Sequence, residues 1–331
     1  MKIQKDKSFK ELTTFRIGGT IKNYVEVSNI NEIKEVVSYA KENNLKIFVI
    51  GGGSDFLASD KEFDGLVIKY IGDSYSIDGE LITSQAGMDW DRLVEIAVED
   101  GLQGIECLSG IPGTVGASPI QNIGAYGSEL KDTFVSLEAY NIEEEKFETF
   151  DKERCQFGYR ESIFKTKDYW QKYLITSVTF KLNINGKPKV SYESLHLKDN
   201  PTLQEVRSAI LETRRQKLEN PKEHGNAGSF FKNPIIDLDK KTEMEKEYPD
   251  VKIYPFGDKF KIFAGWLIEK AGWKGKEHKS ASVSPKHSLI LINKAGNATS
   301  NDVYELSKMI IEDVFKKFDI KLEREVQLIN F

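Results

Sequence analysis

Residues 109–127 combine five glycines and two prolines with no charged side chain, in the order Ser-Gly-Ile-Pro-Gly-Thr-Val-Gly-Ala-Ser-Pro-Ile-Gln-Asn-Ile-Gly-Ala-Tyr-Gly. Glycine permits positive φ angles and has no Cβ, so the backbone N–H groups of such a segment can surround an anion. Pro112 and Pro119 prevent the segment from forming one continuous helix. An ordinary surface loop has a similar composition, and that interpretation stays open. Four apolar residues favour a loop packed around a phosphate-bearing ligand: Ile111, Val115, Ile120 and Ile123.

A second glycine cluster, Gly51-Gly52-Gly53-Ser54, directly follows the short apolar strand predicted at 46–50. A dinucleotide fingerprint of the Rossmann type requires a helix to begin within the glycines. Here Asp55 and Phe56 follow at once and no helical pattern starts, so the match is weak. The cluster instead indicates a loop that meets a pyrophosphate through backbone N–H groups, without a Rossmann fold.

Ser229 lies within a third cluster of small residues, 225–234, between a glycine turn and two phenylalanines. Serines in such turns usually bond only to the backbone. The alternative is a hydroxyl in a dry pocket, where it is available for chemistry.

Arg214 and Lys217 continue the apolar line of a helix predicted at 202–218, which Thr202 and Glu205 begin as a capping box. Two interpretations stay open. Either the end of the helix emerges into solvent, or the two cations reach into an anionic cavity.

Composition excludes several classes of protein. A net charge of −5 over 331 residues gives no basic field for nucleic acid, and no apolar run is long enough to span a membrane. The first six residues lack the apolar region of a signal peptide. The two cysteines and four histidines show no metal-ligand or disulfide spacing, so we expect no metal and two reduced thiols in a cytoplasmic protein.

The elements that position these residues follow from periodicity and capping. Strands at 24–27, 46–50 and 66–68 enclose a helix that begins at Asn29, so the first 70 residues predict a small α/β lobe. A strand-like run at 105–108 places Cys107 in the core. Further helices are predicted at 91–99, around 266–268 and at 302–318, and further strands at 134–140, 173–182, 289–292 and 325–329.

Five collinear segments resemble the UDP-N-acetylenolpyruvoylglucosamine reductase family, flavoenzymes that complete UDP-N-acetylmuramic acid in peptidoglycan synthesis. They are Gly51-Gly52-Gly53-Ser54, the block 111–127, Phe157-Gly158-Tyr159-Arg160, the cluster 225–234 and Ala264-Gly265-Trp266-Leu267-Ile268. The segment around Tyr192 is similar to the longer subtype, in which a tyrosine loop folds over the substrate.

The resemblance implies an α+β protein with a two-lobed FAD-binding fold of the vanillyl-alcohol-oxidase (PCMH) type and a C-terminal α+β substrate-binding domain. The implied boundaries are 1–70 with the terminal strand 326–331 for the first FAD-binding lobe, 71–217 for the second, and 218–325 for the substrate domain. The implied reaction uses non-covalent FAD and NADPH as co-substrate. No obligate protein partner is implied.

The resemblance also assigns the site residues. Arg160 and Glu325 would stabilise an enolate, and Ser229 would donate the proton. Substrate contacts are implied for Tyr159, Tyr192, Lys217, Asn233 and His287. FAD contacts are implied for Gly51, Gly52, Gly53, Ser54, Ile111, Pro112, Gly113, Thr114, Gly116, Ala117, Ser118, Gly124, Ala125, Tyr126 and Arg214.

The sequence departs from the family pattern near the site. Asp55 stands where asparagine is usual, His287 where glutamine is frequent, and Arg324 and Gln327 flank Glu325 where proline and arginine are common. Two other functions remain to be compared: another flavin oxidoreductase on the same fold, and a catalytically silent nucleotide-sugar-binding protein.

Overall fold

The computed structural model describes residues 2–188, 195, 197 and 199–331, which form two compact units. Unit 1 comprises Met1–Lys7, Ile21–Gly53 and Phe63–Gln216, and unit 2 comprises Ser8–Thr20, Ser54–Glu62 and Lys217–Phe331. The finer division at 70/71 and 217/218 stays a prediction. No helix in the described ranges is both long enough and apolar enough to cross a lipid bilayer.

The helices agree closely with the sequence periodicity. Asn29 accepts hydrogen bonds from the N–H groups of Asn31 and Glu32, and Thr202 and Glu205 form the predicted capping box. The α-helices of the described residues are α1 (Phe9–Leu12), α2 (Ile30–Glu42), α3 (Trp90–Glu99), α4 (Lys152–Cys155), α5 (Leu203–Lys217), α6 (Leu238–Glu247), α7 (Ala264–Lys270) and α8 (Ser300–Phe318).

Unit 1 contains one parallel and one antiparallel sheet. Strands Thr20–Val27 and Lys46–Ile50 flank Phe63–Tyr70, and both pair with it in parallel, which confirms the predicted β-α-β arrangement around α2. The antiparallel sheet has the order Lys146–Asp151, Phe134–Asn141, Tyr173–Lys181, Leu81–Gln85 and Tyr75–Asp78. Two short pairs accompany it: Leu102–Gln103 with Asn183–Ile184, and Gly124–Ala125 with Ser128–Glu129.

A single hydrophobic core joins the two sheets of unit 1. It includes Val37 of α2, Leu66 of the parallel sheet, Trp90 of α3 and Phe180 of the antiparallel sheet, all almost fully buried. Cys107 is also buried, as expected, but its segment Glu106–Leu108 is a 3₁₀ helix, so the predicted strand is wrong. A run of four residues, of which only Glu106 is charged, fits a tight buried turn as well as a strand.

Unit 2 contains three small sheets. In the first, Phe56–Ala58 pairs in parallel with Gln327–Ile329. The second is antiparallel, in the order Ile235–Ile236, Lys259–Ile262 and Ile253–Phe256. The third is also antiparallel, in the order Glu277–His278, Ala281–Val283 and Leu291–Ile292. Its core includes Phe15, Phe230, Leu267 and Ile310, which are fully buried. Two predicted strands are shorter than expected, since only Leu291–Ile292 and Gln327–Ile329 are extended and paired.

A buried carboxylate organises the loops of unit 2. Glu219 is almost completely buried and accepts hydrogen bonds from Ser284 Oγ at 2.7 Å and from His224 Nδ1 at 3.1 Å. Ser284 Oγ in turn accepts the N–H groups of Lys286 and His287. Although burial alone raises the pKa of Glu219, these hydrogen bonds outweigh it, and the net shift is below the ordinary value.

This lowered pKa predicts a pH-dependent contribution to stability. As the pH falls, Glu219 is protonated in the unfolded chain near the ordinary pKa of 4.5, whereas in the folded chain it is protonated only at a lower pH. The stabilisation from Glu219 is therefore complete above pH 4.5 and is lost as the pH falls through the folded-state pKa. We expect Glu219→Gln to lower the free energy of unfolding by about 1–2 kcal/mol at pH 7 and by progressively less towards pH 3. Urea denaturation of both proteins between pH 7 and pH 3 measures the difference.

Glu223→Gln is the matched control, because Glu223 is exposed on the same segment and should change stability by less than about 0.5 kcal/mol. A Glu219→Gln difference that stayed constant over the whole pH range would contradict the assignment.

Candidate active site

The two glycine clusters of unit 1 meet backbone to backbone. A Cβ atom on Gly52 would lie 2.7 Å from the Cα of Gly113, and one on Gly51 would lie 2.8 Å from Thr114 Oγ1. No side chain fits between two backbones at such a distance. The first cluster lies directly after strand Lys46–Ile50, and Gly113 and Thr114 on the other side of the contact lie in the loop 109–127.

The loop 109–127 is anchored in unit 1 by backbone hydrogen bonds. The N–H groups of Val115 and Gly116 donate to the carbonyls of Met88 and Ala86, both at 2.9 Å, and Trp90 N–H donates to the carbonyl of Gly113. Val115 is fully buried. The loop is therefore packed on the protein body as predicted, and the ordinary surface loop is excluded.

The contacts at these loops fit the FAD that the sequence implies. In the described part of the chain, the backbone N–H groups of Gly52 and Gly113 donate to no other residue, and Oε1 of Gln121 is buried without a hydrogen-bond partner. Backbone donors suit phosphate oxygens, and an orphaned buried acceptor suits a ligand N–H or O–H. The residues present could thus hold both the charged and the polar parts of a dinucleotide.

Arg160 is held against the same loop in a strained conformation. Its φ angle is +56°, which lies in the left-handed region, and its Nη2 donates to the carbonyl of Gly124 at 2.7 Å. A Cβ on Gly124 would lie 3.0 Å from Arg160 Nη1, so glycine makes room for the guanidinium. Asn122, which the sequence did not single out, fixes the neighbouring backbone by donating to the carbonyl of Gly158 at 2.9 Å.

The two cations of α5 differ in environment. Arg214 is half-buried beside Gly110, where a Cβ would lie 3.1 Å from its Nε, and burial lowers its pKa from the ordinary value. Lys217 is exposed at the last position of the helix. The helix end therefore emerges into solvent at Lys217, whereas Arg214 belongs to the glycine loops.

In unit 2, Ser229 and Glu325 lie on hydrogen-bonded segments. Glu325 N–H donates to the carbonyl of Phe230 at 2.9 Å, and Phe230 N–H donates to the carbonyl of Leu289 at 2.8 Å. Glu325 is buried and Ser229 is exposed. The expectation of a dry pocket around Ser229 is wrong for the described residues, because the two phenylalanines that follow it turn into the core without covering its hydroxyl.

His287 and Asn233 are fixed by backbone contacts in unit 2. Nδ1 of His287 accepts the N–H of Leu289 at 3.3 Å, so the neutral ring carries its proton on Nε2. Burial, followed by the charge of Lys274, lowers the pKa of His287. Oδ1 of Asn233 accepts the N–H of Ala264 at 2.9 Å and thereby caps the start of α7, a structural role that the sequence did not reveal.

The remaining predicted residues are accounted for as follows. Ser118 is buried and donates to the carbonyl of Val115 at 2.6 Å, so its hydroxyl supports the loop. Tyr192 lies outside the described residues. Half-buried positions are found for Ser54, Tyr159 and five residues of the loop: Ile111, Gly116, Ala117, Ala125 and Tyr126; Gly53 is buried, and Pro112 is exposed.

The backbone contact generates a prediction for Gly52. Replacing Gly52 by Ala places a methyl group 2.7 Å from the Cα of Gly113, which must move the loop. We expect about a 10²-fold weaker affinity for FAD, since misplaced backbone donors lose charge-assisted hydrogen bonds to phosphate. Equilibrium dialysis of the purified holoprotein measures it.

Gly265→Ala is the control, because a Cβ there meets its neighbours only at 3.6 Å or more and the residue lies in α7, outside the glycine loops. A Gly52→Ala protein that retained FAD like the Gly265→Ala protein would contradict the proposed role of the contact.

Comparison with known proteins agrees with this geometry. Residues 21–148 match the family model described as FAD binding domain, and residues 220–329 match the model described as UDP-N-acetylenolpyruvoylglucosamine reductase, C-terminal domain. A solved structure titled UDP-N-acetylenolpyruvylglucosamine reductase (MurB) from Thermus caldophilus superposes with a TM-score of 0.72 at 24% identity, covering 99% of each chain. The chain thus combines an FAD-binding domain with a C-terminal α+β domain and has the fold of that reductase.

Relatives named UDP-N-acetylenolpyruvoylglucosamine reductase match over the full length. The protein from Flavobacterium johnsoniae is 42% identical, covering 99% of this chain and 100% of the relative, and that from Pseudomonas aeruginosa is 38% identical, covering 99% of both. Likeness of this extent favours this family over another flavin oxidoreductase on the same fold. The chain therefore belongs to the UDP-N-acetylenolpyruvoylglucosamine reductase family of FAD-dependent oxidoreductases.

Proposed function

We propose that this chain reduces the enolpyruvyl ether of UDP-N-acetylglucosamine to UDP-N-acetylmuramate, with NADPH as the electron donor, for peptidoglycan synthesis. The observation that carries the proposal is the hydrogen-bonded pair of segments around Ser229 and Glu325, both within the matched C-terminal region 220–329. The names of the full-length relatives support the substrate. The choice of NADPH over NADH rests on the family alone, since no residue here is identified that would contact a 2′-phosphate.

The glycine loops 51–54 and 109–127 would hold FAD, which would supply the relay of a hydride from NADPH, leaving NADP⁺, to C3 of the enolpyruvyl group. The residues of the chain must then manage the negative charge and the proton. Arg160 suits the carboxylate of the substrate, because a guanidinium can donate two parallel N–H bonds. Glu325 is buried, and the family resemblance gives it the second role, stabilisation of the enolate.

Ser229 is assigned as the donor of the proton to C2. A serine hydroxyl is a weak acid in water, so only a strongly basic carbon close by makes it effective. Its exposure leaves the hydroxyl accessible to a substrate. Lys217 is also exposed and, like His287 with its Nε2–H, offers donors suited to the anionic UDP moiety.

We further propose that FAD is bound without a covalent bond. Cys107 precedes the loop 109–127, but it is buried, and burial raises the pKa of its thiol to about 11, so the reactive thiolate is scarce at neutral pH. Acid precipitation should release all of the yellow colour into the supernatant. Colour that stays in the washed pellet would show a covalent link. The two buried free thiols also favour a cytoplasmic location, which stays a prediction.

The role of Ser229 is tested by separating the two half-reactions. We expect Ser229→Ala to bind FAD and to be reduced by NADPH at the wild-type rate, because neither step needs the proton. Reoxidation by the enolpyruvyl sugar should slow by about 10²-fold or more, the scale on which a positioned acid contributes. Stopped-flow absorbance of the flavin, without oxygen, follows both steps.

Ser229→Cys provides a more acidic group of similar shape and should recover part of the loss. If pre-reduced Ser229→Ala protein were reoxidised at the wild-type rate, Ser229 would be a turn residue and the proton would come from elsewhere.

A further inference from the structure

Arg214 is a half-buried cation at the glycine loops and has no ion-pair partner among the described residues. Among the described residues, no carboxylate forms an ion pair with it, and no side-chain hydrogen bond is found for its guanidinium. Burial disfavours its charged form and lowers its pKa. A desolvated arginine without a partner is unfavourable in the free protein and suited to an anionic ligand.

An acidic residue is nevertheless close to Arg214. Burial has the largest effect on the pKa of Arg214, and Tyr126 and then Asp91, which lies in the first turn of α3, act against it and raise the pKa. The Oδ1 atom of Asp91 accepts the N–H of Gly110 at 2.6 Å, and Gly110 is the residue against which the side chain of Arg214 packs. The two opposite charges are therefore neighbours on either side of one glycine.

Arg207, two turns before Arg214 on α5, occupies both oxygens of Asp91. Its Nη1 donates to Oδ1 and its Nη2 donates to Oδ2 at 2.9 Å, and its side chain is only 12% exposed. With the Gly110 N–H added, the carboxylate has its strongest acceptor sites filled. Both guanidiniums project from α5, and in this structure Asp91 is bonded to Arg207.

We propose that Arg207 is a positioning residue that keeps Arg214 available for an anionic ligand, by holding Asp91 in a bidentate ion pair. This inference rests on the proposed role of Arg214 in binding FAD. Without Arg207, Asp91 would pair with Arg214 across Gly110, and the cation would be neutralised before the ligand arrives. Arg207 thus acts on ligand affinity without touching the ligand.

The test is the FAD affinity of a set of variants, measured by equilibrium dialysis of the purified holoproteins. Arg207→Met keeps the length of the side chain and removes its charge, and we expect it to weaken FAD binding roughly tenfold, the scale of a lost charge-assisted hydrogen bond. Asp91→Asn still accepts the Gly110 N–H through Oδ1 but cannot capture Arg214. The double variant Arg207→Met/Asp91→Asn should therefore bind FAD within about threefold of wild type.

A merely structural ion pair predicts instead that Asp91→Asn alone weakens FAD binding as much as Arg207→Met does, because either change breaks the pair, whereas the positioning role predicts near wild-type affinity in Asp91→Asn. Equally weakened binding in Asp91→Asn, or wild-type affinity in Arg207→Met, would overturn the proposal. Arg215→Met is the matched control, since Arg215 lies on the exposed face of α5, pairs with Glu212 and should leave the affinity unchanged. If Arg207→Met does not fold, Arg207→Lys with and without Asp91→Asn replaces it, because lysine cannot form the bidentate pair.

Arg214→Met separates the inference from the function on which it rests. Weaker FAD binding in Arg214→Met with no effect of Arg207→Met would refute the positioning role alone. Unchanged binding in Arg214→Met would instead refute the contact between Arg214 and FAD, and with it the basis of the inference.

Discussion

The backbone contact between Gly52 and Gly113 constrains most of unit 1. A Cβ at Gly52 would lie 2.7 Å from the opposing Cα, so the two loops must be glycine where they touch and must be held there from behind. Strand Lys46–Ile50, paired in parallel with Phe63–Tyr70, holds the first loop. The carbonyls of Ala86 and Met88 hold the second, and the shared core around Trp90 and Phe180 joins the two supports. Neither sheet could shift relative to the other without breaking this contact.

The same loop also determines where two arginines of unit 1, Arg160 and Arg214, lie. Gly124 makes room for the guanidinium of Arg160, and Gly110 makes room for the side chain of Arg214. Each of these cations would have to move if its glycine carried a side chain. Arg160 adds a positive φ angle, which costs on the order of 1 kcal/mol and is retained because Asn122 and the Gly124 carbonyl fix the surrounding backbone. Strain of this kind is usual at residues that must present a side chain to a ligand.

Unit 2 positions its residues by a different means. Backbone hydrogen bonds run from Glu325 to Phe230 and from Phe230 to Leu289, whose own N–H is bonded to the ring of His287. The buried carboxylate of Glu219 stabilises the turn before His287 through Ser284. The backbone beside Ser229 and Glu325 and the ring of His287 are thus held by hydrogen bonds between segments that are distant in the sequence.

Local structure was largely encoded in short segments of sequence. Capping residues and 3.6-residue periodicity located the start of α2 and both ends of α3, α5 and α8 to within about two residues, since these signals depend only on neighbours along the chain. The glycine clusters were recognisable because a close approach of backbones requires that residue type wherever it occurs. The family, and with it the fold and the cofactor, followed from collinear motifs and is confirmed by full-length relatives.

Tertiary structure decided what depends on distant partners. Arg214 and Lys217 are three residues apart and chemically alike, yet only Arg214 is drawn beside Gly110, because burial depends on what packs against each turn of the helix. Three further features could not be predicted from the sequence: the exposure of Ser229, the capping role of Asn233 and the buried acceptor of Gln121. Each depends on whether a segment distant in the sequence packs against the residue. Sequence determines which groups are available for chemistry, and only the fold determines which of them are paired, strained or left for a ligand.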